Sequence, residues 1–247
     1  MYRVSEISNR DSLFLFLIHV ISEEFRDHAI LKGGMVLRLL GSKRETLDLD
    51  YTFIPYSSKN EVLNDIENLF SRIEGLNYEV KVHSKMIRVI AYANKINAQV
   101  EINVADSIKS DVVSTAGLKS STSTYAPRVV KIMSLDIALA HKMAAWNERR
   151  LLRDLYDIYY LFEVQNIFPD AKTLEERLDN FSSRLPKLKK VKKMTKEKLL
   201  SDLKEQSNTL NQTDITKELE GILEDIELVG LSKRIKDSIH RLILRCS

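Results

Sequence analysis

Residues 31–53, LKGGMVLRLLGSKRETLDLDYTF, constrain this chain more than any other stretch. Gly33 and Gly34 lead into a short apolar helix, GMVLRLLGS, which Gly41 closes at a C-cap position. The period-2 run LDLDYTFIP that follows predicts a strand. Asp48 and Asp50 hold alternate positions in it, so both carboxylates leave one face, roughly 6 to 7 Å apart. Asp is a poor strand former, and like charges on one face of a strand repel. Such a strand is expected to hold a cation near its carboxylates, with Leu47, Leu49 and Tyr51 turned to the core.

Two adjacent carboxylates suit a divalent cation, because Mg²⁺ takes hard oxygen ligands and combines one or two carboxylates with substrate phosphates. A third carboxylate comes from AQVEINVAD. There Val100, Ile102 and Val104 alternate inward, leaving Glu101 on the other face with Gln99 and Asn103. If that strand lies beside the aspartate strand, Asp48, Asp50 and Glu101 converge on a metal. Gly33 and Gly34 offer unhindered N–H groups to a phosphate, and Lys32 adds charge nearby. A D-x-D pair alone also occurs on surface strands and in glycosyltransferases. The order of turn, helix, D-x-D strand and later Glu strand is what points to phosphoryl or nucleotidyl transfer.

The remaining pattern predicts an α/β part followed by helices. A helix is expected from Asp11 to Phe25, with Asp11 or Ser12 as cap, then a short strand in HAILKGG. KNEVLNDIENLFSRIEGL reads as an amphipathic helix, and residues 77–106 as two or three strands turning near Ser84 and at 94–97. Ser114 to Pro127 reads as a linker. Beyond it the period becomes helical, with Ser134 as an N-cap. The charge balance shifts as well: residues 171–247 hold 17 Lys and Arg against 13 Asp and Glu, and residues 1–170 hold 21 against 22. LFLFLIHVI is too short to span a bilayer, and the one cysteine, Cys246, precludes an internal disulfide. These features predict a cytoplasmic chain without membrane association.

LKGGMVLRLL followed by RETLDLD resembles the first motif of the AbiEii/AbiGii-type nucleotidyltransferase toxins, within the DNA polymerase β-like superfamily. KMAAWNERRLLRDLYDIYYL is similar to that family's second, helical block, so the resemblance covers about residues 28 to 162. It implies an α+β fold: a polymerase β-like domain with a small mixed sheet and flanking helices at 1–125, then a helical bundle at 126–247. Helices at 134–163 would complete the cleft. It further implies metal binding by Asp48 and Asp50, nucleotide contacts from Lys32, Gly33, Gly34, Thr46, Lys142 and Arg153, and catalytic roles for Lys142 and Asp157 alongside the aspartates. Mg²⁺ or Mn²⁺ is the implied cofactor, an NTP the substrate, a tRNA 3′ end the favoured acceptor, and an antitoxin the partner. Gly34 stands where the superfamily commonly has serine, and Thr46 where this family does. The alternative is a non-catalytic RNA- or protein-binding module on the same scaffold.

Two further stretches bear on function. Lys142, Trp146, Arg149, Arg150 and Arg153 fall at helical spacing and predict a basic stripe, with Asp154 and Asp157 one turn on. LPKLKKVKKMTKEK holds seven lysines and one acid. Leu185, Leu188, Val191 and Met194 predict it to be an amphipathic helix, and its lysines suit a nucleic-acid backbone.

Overall fold

A computed structural model describes residues 4–118 and 126–246. The chain forms two compact units: residues up to Ser42 with Thr46–Met133, and Lys43–Glu45 with the chain from Ser134 onward.

The first unit is a seven-stranded mixed sheet with helices. Its elements are α1 (Arg10–Phe25), β1 (Ala29–Lys32), α2 (Gly34–Leu39), β2 (Asp48–Phe53), α3 (Asn60–Ser71), β3 (Asn77–Val82), β4 (Ile87–Ala93), β5 (Ile96–Val104), β6 (Ser110–Ser114) and β7 (Val129–Met133). The strand order is β3-β4-β5-β2-β1-β7-β6. Only β2–β5 and β1–β7 pair in parallel. In register, Leu31 meets Tyr51 and Ile132, Leu49 meets Val100, and Tyr51 meets Ile102. These residues form one apolar face.

Helix α1 lies along β1, β5 and β7 and is buried without a break from Ser12 to Ile21. That enclosure explains the LFLFLIHVI run, since a helix that is apolar all round belongs in a core. Each buried Leu, Ile or Phe contributes about 1.5–3 kcal/mol. At its C-terminal end the Phe25 ring packs 4.6 Å from that of Phe53. No helix among the described residues is long and apolar enough to cross a membrane.

Several expectations change. The α1 cap is Asn9, whose Oδ1 accepts from Ser12 N–H at 2.8 Å while Ser12 Oγ accepts from Asn9 N–H at 3.1 Å. Asp11 instead forms a two-point ion pair with Arg38 at 2.6 and 2.8 Å, tying α1 to α2. Leu47 is 69% exposed rather than turned to the core, because it precedes β2 and lacks a neighbouring strand. The start of the expected linker is ordered: β6 ends at Ser114, Thr115–Gly117 form a single 3-10 turn, and Thr115 and Leu118 are buried. Residues 119–125 of that linker lie outside the described residues. β7 pairs with β1 and β6, so the first unit extends to Met133.

The second unit has only helices among its described elements: α4 (Leu135–Arg149), α5 (Leu152–Tyr159), α6 (Ala171–Asp179), α7 (Lys196–Thr209), α8 (Gln212–Leu219), α9 (Asp225–Leu228) and α10 (Leu231–Cys246). Trp146 is fully buried, as are Ile235, Ile239 and Leu242 of α10. Residues 185–190 form a bend and turns and 191–194 no regular element, in place of the expected helix. Lysines three and four apart would repel along a helical face, and Pro186 further weakens a helix there.

His19, 4% exposed inside α1, bonds Thr115 Oγ1 through Nε2 at 2.9 Å. Burial, then the Arg128 charge, push its pKa from 6.5 down to about 4, with Glu23 partly opposing. The unfolded chain therefore takes up this proton first as pH falls, so stability declines between pH 6.5 and about 4. Melting temperatures across this range are expected to fall more steeply for wild type than for His19→Gln; parallel curves would contradict this account.

Candidate active site

Gly33 turns the chain between β1 and α2 with φ 75° and ψ −153°, a conformation L side chains rarely adopt. Space excludes a side chain as well: a Cβ on Gly33 would stand 2.3 Å from Asp50 Oδ2. The glycine thus lets the Asp50 carboxylate lie directly against the backbone of the turn. Asp48 leaves the same face of β2, and both aspartates are half-buried. Thr46 is buried just ahead of the strand, and its hydroxyl donates to Asp48 Oδ1 at 3.2 Å. That bond holds the Asp48 carboxylate from one side.

Strand register supplies the cation that the paired carboxylates require. Lys32 stands opposite Asp50 across β1–β2, Asp50 opposite Glu101 across β2–β5, and Glu101 opposite Arg88 across β4–β5. A row reading Lys, Asp, Glu, Arg therefore crosses four strands on the polar face. With its amide turned so that the oxygen faces Lys32, Asn103 accepts from Lys32 Nζ at 3.0 Å and donates to the Lys85 carbonyl at 2.8 Å. Arg88 donates to Glu101 Oε1 from Nε at 3.2 Å and Nη2 at 2.9 Å, and Gln99 Nε2 donates to the same oxygen at 2.8 Å.

These contacts separate the three expected metal ligands. Asp48 and Asp50 fit a divalent cation that draws its remaining ligands from phosphates and water. Glu101 has the expected position, opposite Asp50, but its Oε1 is occupied by Arg88 and Gln99. Among the described residues, no three His, Cys, Asp or Glu side chains gather into a metal-binding group.

Lys142, Arg153 and Asp157 belong to the helical unit. Asp157 on α5 is fully buried. Lys142 Nζ of α4 lies 2.6 Å from its Oδ2, and Arg44 Nε lies 3.2 Å from its Oδ1. Burying a carboxylate this deeply is costly unless cations meet it, and here two do. Arg44 is the residue that the sequence reading missed. It lies in the Lys43–Glu45 segment, which folds with this unit and is fixed by Glu45 N–H donating to the Ile222 carbonyl at 2.7 Å. Its signal was present, as a cation within RETLDLD four residues before Asp48.

The predicted basic stripe is not one helix face. Arg150 caps α4 in the left-handed conformation at φ 57°, and α5 begins at Leu152, so Arg153 sits on a new helix. Arg149 makes a two-point ion pair with the fully buried Asp154, both contacts at 2.6 Å. That bond, chiefly, raises the Arg149 pKa further. Arg150 stacks 4.3 Å over the Trp146 ring and donates to Asp202 Oδ2 at 2.6 Å. Two of the stripe's cations thus hold the helices together. Arg153 is half-buried, and its buried Nε has no hydrogen-bond partner among the described residues.

A mixed sheet with paired aspartates beside a glycine turn is the arrangement of a nucleotidyltransferase fold, and the comparisons agree. The chain is similar to the solved structure of MenT4, a nucleotidyltransferase toxin from Mycobacterium tuberculosis H37Rv, with a TM-score of 0.64 and 15% identity over 96% of this chain and 85% of that one. At that identity the likeness establishes the fold. A cyclic dinucleotide synthase from Elizabethkingia meningoseptica aligns over 100% of this chain and 93% of its own at 12% identity, but its TM-score of 0.28 carries no argument. No curated protein sequence matches. The family described as nucleotidyl transferase AbiEii toxin, type IV toxin–antitoxin system, matches residues 16–237. The chain belongs to that family and is a nucleotidyltransferase by class.

Removing Asp157 takes from Lys142 and Arg44, 16% and 9% exposed, the carboxylate they share. Asp157→Ala is expected to cost about 3–5 kcal/mol of unfolding free energy, read as a lower urea midpoint. Lys142→Ala should cost less, because Arg44 still meets the carboxylate. Equal losses would mean that Arg44 contributes nothing.

Proposed function

We propose that this protein transfers a nucleoside monophosphate from an NTP to an acceptor hydroxyl, favouring a tRNA 3′ end, as the toxin of a toxin–antitoxin or abortive-infection system. The observation that carries the reading is the Asp50 carboxylate seated against the side-chain-free Gly33 turn, with Asp48 beside it. The acceptor oxygen bonds to the α-phosphorus, the bond to the β-phosphate oxygen breaks, and pyrophosphate leaves with the electron pair. The hydroxyl proton passes to water. This chemistry requires positioning and charge neutralisation more than covalent help from the protein.

Asp48 and Asp50 would hold Mg²⁺ or Mn²⁺, which supplies Lewis-acid neutralisation of the phosphate charge. Thr46 keeps Asp48 oriented. The Gly33–Gly34 backbone admits the triphosphate, and Lys32 contributes positive charge. Lys142 is the cation assigned to the triphosphate, held in place by Asp157, and Arg153 is a second nucleotide contact. In this reading the two units are the nucleotidyltransferase domain and the helical domain of a polymerase β-like enzyme, and a cognate antitoxin is its protein partner.

Incubation with labelled NTPs, Mg²⁺ and total RNA tests the proposal. Wild type is expected to label RNA, and Asp48→Ala or Asp50→Ala to lose several kcal/mol of transition-state stabilisation, about a hundredfold or more in rate. Equal labelling by wild type and Asp48→Ala would defeat it. Thr46→Val, which removes only the hydroxyl orienting Asp48, is expected to lower the rate about tenfold with the melting temperature nearly unchanged.

A further inference from the structure

In the helical unit, the turn between α6 and α7 gathers charge without answering it. From Lys187 to Lys196 the sequence contains six lysines and no acid. Lys193 pairs with Asp179 at 2.7 Å, and farther on Lys198 pairs with Asp202 at 2.6 Å. Lys187, Lys189, Lys190 and Lys192 are exposed, and their ammonium groups make no ion pair or hydrogen bond among the described residues.

The turn is nevertheless built. The Leu185 carbonyl accepts from Leu188 N–H at 2.9 Å and Lys189 N–H at 2.8 Å, and Val191 N–H donates to the Leu188 carbonyl at 3.0 Å. Its start is fixed by Ser183 Oγ, which donates to the Glu148 carbonyl at 2.5 Å and accepts from Leu185 N–H at 3.1 Å. Its end is fixed by Met194, which is buried and donates to the Leu178 carbonyl at 3.0 Å. Leu185, Pro186, Lys187 and Leu188 border an open groove of about 560 Å³. Four like charges within six residues repel one another, since charges closer than the screening length of about 8–10 Å are only partly screened. Solvated faces relieve such repulsion with interleaved acids, which this turn lacks.

We propose that this turn is a docking surface for the phosphate backbone of RNA. The preference for RNA over other polyanions rests on the transfer reading above; the surface itself does not. No aromatic residue lies between Phe181 and Ser247, so the turn can follow phosphates but cannot stack bases. Insertion into an anionic membrane would need exposed apolar side chains. Here Leu185, Leu188 and Val191 are half-buried and Met194 is buried.

Fluorescence anisotropy of the full chain with a labelled hairpin RNA bearing a single-stranded 3′ tail, without NTP or divalent cation, tests this. Across a salt series, changing Lys187, Lys189, Lys190 and Lys192 together to alanine is expected to reduce the slope of log Kd against log salt by about 3. Affinity should fall at least tenfold at low salt. Changing all four to arginine should preserve both quantities. Unchanged Kd and slope in the alanine variant would overturn the proposal, as would tighter wild-type binding to phosphatidylserine vesicles or to a polyglutamate peptide than to the RNA. Lysine-dependent binding without any NTP transfer would retire the transfer reading alone; transfer with lysine-independent binding would retire this surface alone.

Discussion

The carboxylate of Asp50 rests against a backbone turn that has room for it only because Gly33 carries no side chain. Asp50 reaches that position through register: antiparallel pairing sets it opposite Lys32, and parallel pairing sets it beside Glu101. A slip of one residue would turn Leu49 to the polar face and both aspartates into the core. The apolar face resists such a slip, since Leu31, Tyr51, Ile102 and Ile132 must stay together under α1. Hydrophobic burial on one side of the sheet therefore fixes where charge appears on the other.

That division explains which parts could be read from the sequence. The alternation of LDLDYTF set the face of both aspartates, and the alternation of AQVEINV set that of Glu101. The elbow was legible because glycine pairs before helices have a steric meaning. Strands β6 and β7 were not legible. At the sheet edge Val112 is 57% exposed, β6 has only Val112 and Val113 between Ser and Asp residues, and short edge strands lack a two-faced pattern. Glu101 shows a different limit: its face was readable, but its occupation by Arg88 depends on a β4–β5 register that no local pattern specifies.

The lysine segment failed as a helix for an instructive reason. Leu185, Leu188, Val191 and Met194 have helical spacing, yet the chain buries Met194 and half-buries the other three without forming a helix. Apolar spacing records which residues seek the core. It does not count the repulsion among the lysines between them, and here that repulsion opposes the helix.

The helical unit reverses the logic of the sheet. Three of its carboxylates are sunk into the core and met by cations: Asp154 by Arg149, Asp157 by Lys142 and Arg44, and Asp202 by Arg150 and Lys198. Such pairs are weak sources of net stability, because desolvation offsets attraction, but breaking one strands a charge. Their effect is to fix geometry. Arg149 and Arg150, read as a cationic surface, are committed to structure, while Lys142 keeps 16% of its side chain exposed though it shares a fully buried carboxylate. Lys142 is thus held at its inner side and open at its outer side. The same carboxylate also binds Arg44 of the Lys43–Glu45 segment, so one buried acid holds two cations within the helical unit.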